Sequence, residues 1–518
     1  MKLLNVYLFL FVVVVNILFT GGRLASSDEL AFFLTTESLA TRGELAINPE
    51  LVENRTLGKD GKYYLGAGSA QPFLSVPLYI VGYYSTEFLS ITEPIKTLTV
   101  RATVSLLNQF YGGLIAVVML AFALKLGYSR PIALFLTLAL LFTTNLFPYL
   151  KSYMREPQLV FYLLAAVYFL FVFKTQSLNK HLVYAGTFCA LGLLTRLTFV
   201  VAMPVLFLYL MVILYHASTH GSRVRRLLRG TAYFALPIIV ALTTDGIYNY
   251  IQFGSIAGTP YAKADFPTPV YVGLFGLLAS PGKSYFLFAP LATLGAISFR
   301  KFAQENKLEA YLFCGIFLIN LLFFSKFFAW AGDGSWGPRY LISTLPFLIL
   351  PIGVWLQSSA VRKWVALSAA TIGLIIQIGG ISIYLGNYMR EIGEYPYARE
   401  FDDPEFLYKS HFIPNYSPVL GHWRMLVRNV PINFSDERPT FKIEKPDERI
   451  PLSEEEKSNL LYTLDFWFMY LLYAGVGTGK VFGAVAAIAT LTAFFGFKTY
   501  RAFFGSEGPG QIRPAAAS

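Results

Sequence analysis

Apolar and polar positions alternate along this chain on the scale of a bilayer rather than of a soluble core. Runs of about 20 apolar residues, the length a helix needs to cross hydrocarbon, are separated by short polar stretches. They fall at Leu3–Thr20, Val104–Leu124, Ile132–Leu150, Leu159–Phe173, Leu182–Leu194, Leu197–Tyr215, Thr231–Ile251, Phe286–Phe299, Ala310–Phe324, Leu341–Leu356, Trp364–Leu385 and Val481–Phe497. The fifth is short, and Gln71–Tyr84 is apolar enough to lie in the membrane surface or dip into it. The pattern predicts an all-α polytopic membrane protein with about 12 transmembrane helices.

Composition agrees. Of 518 residues, 55% are hydrophobic and 14% charged, against about 25% charged in a soluble protein. The net charge of +11 would fit a nucleic-acid binder, but the basic residues sit in short loops between apolar runs, where they set orientation. With the N-terminus inside, every inner loop is basic, from Lys2, Lys125 and Arg130 through the Arg223–Arg229 group to Lys498 and Arg501. Both termini are therefore expected in the cytoplasm. Cys189 and Cys314 both lie in apolar runs, which argues against a structural disulfide and a thiolate metal site. Met1–Thr20 resembles a secretory signal with a passable cleavage region at Leu24-Ala25-Ser26, but its apolar run is longer than a usual signal core. An uncleaved first span is expected.

Long segments then fall outside: Gly21 to about Thr103, Gln252–Tyr285, and Gly386 to about Gly479. Residues 1–385 read as one transmembrane module including outer loop 21–103, 386–480 as an outer loop with an interfacial helix, and 481–518 as a last span and cytoplasmic tail. In "KIEKPDERIPLSEEEKSN" a solvated loop leads into a helix capped by Ser453 with Glu456 three residues on. "LDFWFMYLLYAG" reads as an interfacial helix.

Candidate chemistry gathers on the outer side. Asp28-Glu29 follows the first span, in "GGRLASSDELAFFLTTESLA". One reading is a helix cap by Ser26 or Ser27 with acids in the first turn. The other is a general base, because "DELAFFLTTESLA" carries an apolar stripe and would lie on the membrane, where headgroup and water meet. Glu156, in "YLKSYMREPQ", is either a polar turn before a proline-started helix or a second acid facing the same outer cavity. Arg196, in "LLTRLTF", either snorkels or meets a phosphate, whose oxygens match a guanidinium fork. Lys283 and Arg339 stand at outer mouths of spans and would add cations to the same anion. Asp333 and Trp336 lie in "WAGDGSWGPRY", where three glycines let backbone approach a ligand; Trp330 and Trp336 also fit an aromatic belt. "GVGTGKV" has the wrong glycine spacing for a phosphate loop and opens a span. Asn54, Asn415 and Asn433 begin triplets of the glycosylation pattern, which arise readily by chance.

This arrangement resembles the GT-C superfamily of membrane glycosyltransferases: protein O-mannosyltransferases, the aminoarabinose transferase of lipid A and their bacterial family 39-like relatives. The carriers are Asp28-Glu29 with "LAFFLTTESLATRGELAI", then "GKYYLGAGSAQPFLSVPLYIVG", "YNYIQFGS", "LLASPGKSYFLFAPL" and "WAGDGSWGPRYLISTLPFLILP". The resemblance implies a GT-C-like fold with juxtamembrane helices in the first outer loop. It implies inverting transfer of a sugar from a polyprenyl-phosphate donor to an acceptor hydroxyl on a lipid, glycan or protein. Asp28 would be the base, Glu29 and Glu156 further acids, and Arg196, Lys283 and Arg339 the phosphate ligands. A divalent cation, Mg or Mn, at Asp28 and Glu156 is admitted by the resemblance, since some relatives are metal-independent. The setting implied is a bacterial plasma (inner) membrane with an extracytoplasmic site. A transporter or flippase, or a polymerase or ligase of lipid-linked glycans, is the alternative; the former would show repeat symmetry, and no obvious internal repeat appears.

Overall fold

The computed structural model describes residues 2–52, 55–66, 68–217, 223–256, 265–399, 403, 405–441 and 453–504. Asn54, the segment 442–452 and the tail beyond 504 lie outside the described residues. In chain order the helices are α1 (Lys2–Phe19), α2 (Ser27–Arg42), α3 (Ala70–Phe88), α4 (Ile95–Ser105), α5 (Leu107–Lys125), α6 (Arg130–Phe142), α7 (Leu146–Leu150), α8 (Glu156–Gln176), α9 (Lys180–Thr195), α10 (Met203–His216) and α11 (Arg223–Phe253). The second half holds α12 (Val270–Ala279), α13 (Tyr285–Phe288), α14 (Pro290–Glu305), α15 (Lys307–Lys326), α16 (Leu345–Ile349), α17 (Ile352–Leu356), α18 (Ala360–Ser382), α19 (Leu385–Glu391), α20 (Tyr408–Phe412), α21 (Pro418–Asn433), α22 (Glu454–Leu460), α23 (Trp467–Tyr473) and α24 (Thr478–Phe504).

Among the described residues, eight helices are long and apolar enough to cross a membrane: α1, the run Ile95–Lys125, α8, Leu197–His216, α11, α15, α18 and α24. The chain is an integral membrane protein. Four expected spans are absent from that set, and each is short or broken for a readable reason. In Ile132–Leu150 the hydroxyls of Thr143 and Thr144 donate back to the Ala139 and Leu140 carbonyls, at 2.8 and 2.7 Å, a bond that competes with the helix ladder. α6 stops there and α7 restarts at Leu146. Phe286–Phe299 divides at Pro290, which has no N–H to continue a helix and opens α14 instead. Leu341–Leu356 begins as a 3-10 helix over Arg339–Thr344 and is cut by Pro346 and Pro351 into α16 and α17. Leu182–Leu194 is one helix, α9, of 16 residues, ended by extended backbone at Arg196.

First and last spans pack side by side. Trp467 N donates to Thr20 O at the end of α1, while Gly496 lies within van der Waals reach of Phe11 at its middle. They therefore run antiparallel.

The first long loop holds the juxtamembrane helices α2 and α3 and a small antiparallel sheet, β1 (Ala46–Ile47), β2 (Arg55–Leu57) and β3 (Tyr63–Leu65), in the order β1-β3-β2. α2 starts at a capping box, Ser26 with Glu29, and stops at Gly43 in left-handed conformation, φ 66°. Its Ala31, Phe32 and Phe33 are fully buried, so α2 is packed against α3 and β1 and holds its N-terminus at a fixed place. Ser453 and Glu456 form the second expected capping box, and "WFMYLLY" is α23.

Candidate active site

The adjacent acids at the start of α2 part company. Glu29 is buried: one carboxylate oxygen accepts from the Ala25 and Ser26 backbone N–H groups, the other from Tyr153 N at 3.0 Å. Burial pushes its pKa up, and those backbone donors oppose the push. Glu29 is thus the capping partner and a tie between α2 and the turn before α8. Asp28, one residue earlier, is half-buried, and its charge bears on Asp333 and Arg339. Of the two acids, Glu29 is the one that serves the cap.

Arg339 is set by the glycine-rich turn before it. Gly332 and Asp333 both take left-handed backbone, φ 71° and 57°, and a Cβ on Gly332 would lie 2.7 Å from the Arg339 stem. Only glycine lets the arginine pass. Arg339 Nη2 donates to Asp333 Oδ2 and to the Tyr340 hydroxyl, both at 3.2 Å. Lys283 braces the turn: its ammonium donates to Asp333 O (2.9 Å), Ser335 O (2.6 Å) and Ser335 Oγ (3.2 Å). Burial, with Arg339 nearby, lowers its pKa to about 7.

Arg196 reaches the same place from the break after α9. Its Nη1 meets Glu156 Oε1 at 3.3 Å. Its guanidinium lies 4.5 Å from the centre of the Tyr340 ring, and that of Arg339 lies 5.0 Å from it. Glu156, Arg196, Asn320, Arg339, Tyr340 and Ser343 line one cleft. Three buried polar atoms there, Glu156 Oε2, Arg196 Nε and Arg339 Nε, have no hydrogen-bond partner among the described residues. Glu156 and Asp333 each pair with one of the two guanidinium groups, yet both Nε donors stay unmet, and buried donors left unpaired are costly, so the cleft can still take an anion with several oxygens.

Trp336 is buried elsewhere: its indole N–H donates to Gln377 Oε1 at 3.0 Å and its ring stands 4.5 Å from His422. For a divalent ion the donor set is poor. Among the described residues no group of three or more His, Cys, Asp or Glu side chains comes together. Glu156 itself faces Arg196, and its charge is felt at Arg339.

Sequence reading missed two features. Tyr340, the ring both arginines share, is one more aromatic in an aromatic-rich chain. Asp465 is the larger omission. Its carboxylate takes Arg23 (2.9 Å), Lys151 (2.7 Å) and the Tyr470 hydroxyl (2.8 Å). Lys151 also donates to Ile381 O at 2.6 Å. Burial alone would raise the Asp465 pKa; Arg23 and Lys151 hold it well below the usual carboxylate range. The available signal was an acid directly before an aromatic run, in "LDFWFMY". Asn433, which begins a glycosylation triplet, is also buried, donating to Asn429 O and Tyr462 O, and is closed to modification in this fold.

Fold and cleft together define a class: an integral membrane protein with an arginine-lined cleft among its helices. Residues 69–254, which carry Glu156 and Arg196, match the model of the family described as dolichyl-phosphate-mannose-protein mannosyltransferase. The match covers that segment alone and agrees with the resemblance noted from the sequence. Among solved structures, it is similar to ArnT from Cupriavidus metallidurans bound to undecaprenyl phosphate (16% identity, TM-score 0.46, covering 96% of this chain and 77% of that one). ArnT in the apo state gives 15% identity and a TM-score of 0.48, covering 96% and 76%. The archaeal oligosaccharyltransferase AglB from Archaeoglobus fulgidus, in complex with an inhibitory peptide and a dolichol-phosphate, gives 11% and 0.33, covering 98% and 52%. No curated protein matches the chain.

Proposed function

We propose that this protein transfers a sugar from a polyprenyl-phosphate donor to an acceptor hydroxyl at the extracytoplasmic face of a bacterial plasma membrane, with inversion and with both termini cytoplasmic. One observation carries the reading: two arginines with unpaired buried donors share a cleft, and the field of Asp28 reaches the same arginine. The family description of residues 69–254 supports a lipid-phosphate donor.

The donor phosphate lies against Arg196 and Arg339, whose N–H forks take its oxygens. The acceptor oxygen loses its proton to the Asp28 carboxylate as it forms the bond to the anomeric carbon. The carbon–oxygen bond to phosphate breaks, its electron pair goes to the phosphate oxygen, and the arginines stabilise that charge as it develops. Attack opposite the leaving group inverts the anomeric centre. Lys283 positions the Asp333–Arg339 turn; it does not face the phosphate. Glu156 orients Arg196.

The test uses purified protein in nanodiscs with a panel of radiolabelled polyprenyl-phosphate sugars, following binding and slow hydrolysis. Wild type and Asp28→Asn should both bind one donor, and only wild type should turn it over. A folded wild-type protein that binds none of the donors would sink the proposal in favour of a transporter.

A further inference from the structure

Three tyrosines of the segment after α18 link the start of α2 to the turn that holds Asp333. The Tyr384 hydroxyl donates to Ala25 O at 2.7 Å, three residues before Asp28. Tyr397 sets its phenol tip against the Gly334 backbone, where a Cβ would lie 2.5 Å from the hydroxyl oxygen. Tyr395 packs on Tyr397 edge to face, centroids 5.4 Å apart at 82°. The Arg390 guanidinium lies 4.5 Å from the centre of the Tyr395 ring, and Phe406 packs on Tyr397 at 5.3 Å. Despite these contacts Tyr395 and Tyr397 are 38% and 40% exposed.

Such rings are not simply belt aromatics. A belt ring faces lipid and floats with its helix; Tyr397 is wedged into the turn that sets Arg339. Tyrosine offers a rigid face that is apolar in the middle and polar at the tip, at small entropic cost. That surface matches the C–H face of a pyranose; the Arg390 guanidinium already lies over one face of Tyr395, 4.5 Å from its centre, so the sugar takes the other.

We propose that Tyr395, Tyr397 and Arg390 form an acceptor subsite that stacks a sugar ring, so that the acceptor hydroxyl belongs to a glycan. The proposal rests on the transferase reading above and names its acceptor class.

The experiment uses the full chain in nanodiscs as Asp28→Asn, which binds without turnover. Saturation-transfer NMR is recorded with mannobiose, N,N′-diacetylchitobiose and maltose, and with a serine- and threonine-rich hexapeptide. At least one disaccharide should bind, with transfer strongest to the C–H protons of one ring face. Adding Tyr395→Ala or Tyr397→Ala should weaken it about tenfold, the scale of one lost aromatic contact, while Tyr395→Phe and Tyr397→Phe keep it and Tyr395→Ala, which does not touch the Arg339 turn, leaves donor affinity unchanged. Peptide binding that depends on these tyrosines, with no disaccharide bound, overturns the subsite. So does an equal loss of donor and disaccharide in Tyr395→Ala. A protein that binds a disaccharide at the tyrosines but no polyprenyl-phosphate sugar upholds the subsite and defeats the transferase reading.

Discussion

Asp28 and Glu29 share a peptide bond and little else. Glu29 is buried and its carboxylate is taken up by three backbone N–H groups of the cap and the turn before α8, so Glu29→Gln should leave donor affinity unchanged and lower thermal stability through a weakened cap, by about 1 kcal/mol; a melting curve beside a binding isotherm checks both. On the proposed mechanism Asp28→Asn removes the base, so kcat should fall about 100-fold to 10,000-fold with donor affinity retained. Arg339→Lys keeps the charge but loses the planar fork that reaches Asp333, Tyr340 and a phosphate together. Its donor Kd should rise at least about tenfold, a loss of about 1.4 kcal/mol, measured by the same isotherm. At this scale the sequence was informative about identity and silent about division of labour. It marked Asp28, Glu156, Arg196 and Arg339 as outer-face charges. It could not say that Lys283 would spend its donors on Ser335 and Asp333, because which carbonyls a lysine finds is decided by a turn fifty residues away.

Elements show where periodicity succeeds and where it stops. A run of apolar residues measures thickness, and it located α1, α8, α11, α15, α18 and α24. It does not register a threonine that folds its hydroxyl back or a proline in mid-run, which is why Ile132–Leu150, Phe286–Phe299 and Leu341–Leu356 read as spans and are segmented helices. The breaks have a use: the 3-10 stretch Arg339–Thr344 and the extended Arg196 put both guanidiniums beside Tyr340. Gly332→Ala attacks this level directly. Its methyl would collide with the Arg339 stem on left-handed backbone, so donor binding should fall as in Arg339→Lys while the helical circular-dichroism signal stays.

Across the whole molecule, Asp465 joins the end of the chain to its beginning. Asp465→Asn would leave Arg23 and Lys151 buried without a counter-charge, a loss of about 3–5 kcal/mol for a broken buried pair, seen as a lower unfolding temperature in detergent. The sign with pH follows from the depressed carboxyl. Its stabilisation is fully present above the unfolded value of about 3.9 and is lost as pH falls through the lower folded one, so wild type should lose stability in acid below about pH 4 more steeply than Asp465→Asn. EDTA should leave turnover intact, since the acids of the cleft are answered by arginines; loss of activity with rescue by Mg or Mn would contradict this. None of the long-range architecture was legible in sequence, because Arg23, Lys151 and Asp465 are each an unremarked charge near an apolar run, and only folding makes them a group. Their meeting also imposes an order on synthesis. While the ribosome is still making α18, the loop that carries Asp28 has its arginine and lysine partners in place and no acid to receive them. A chain cut short before residue 465 would lack the carboxylate that Arg23 and Lys151 share, so that group can form only after residue 465 has been made.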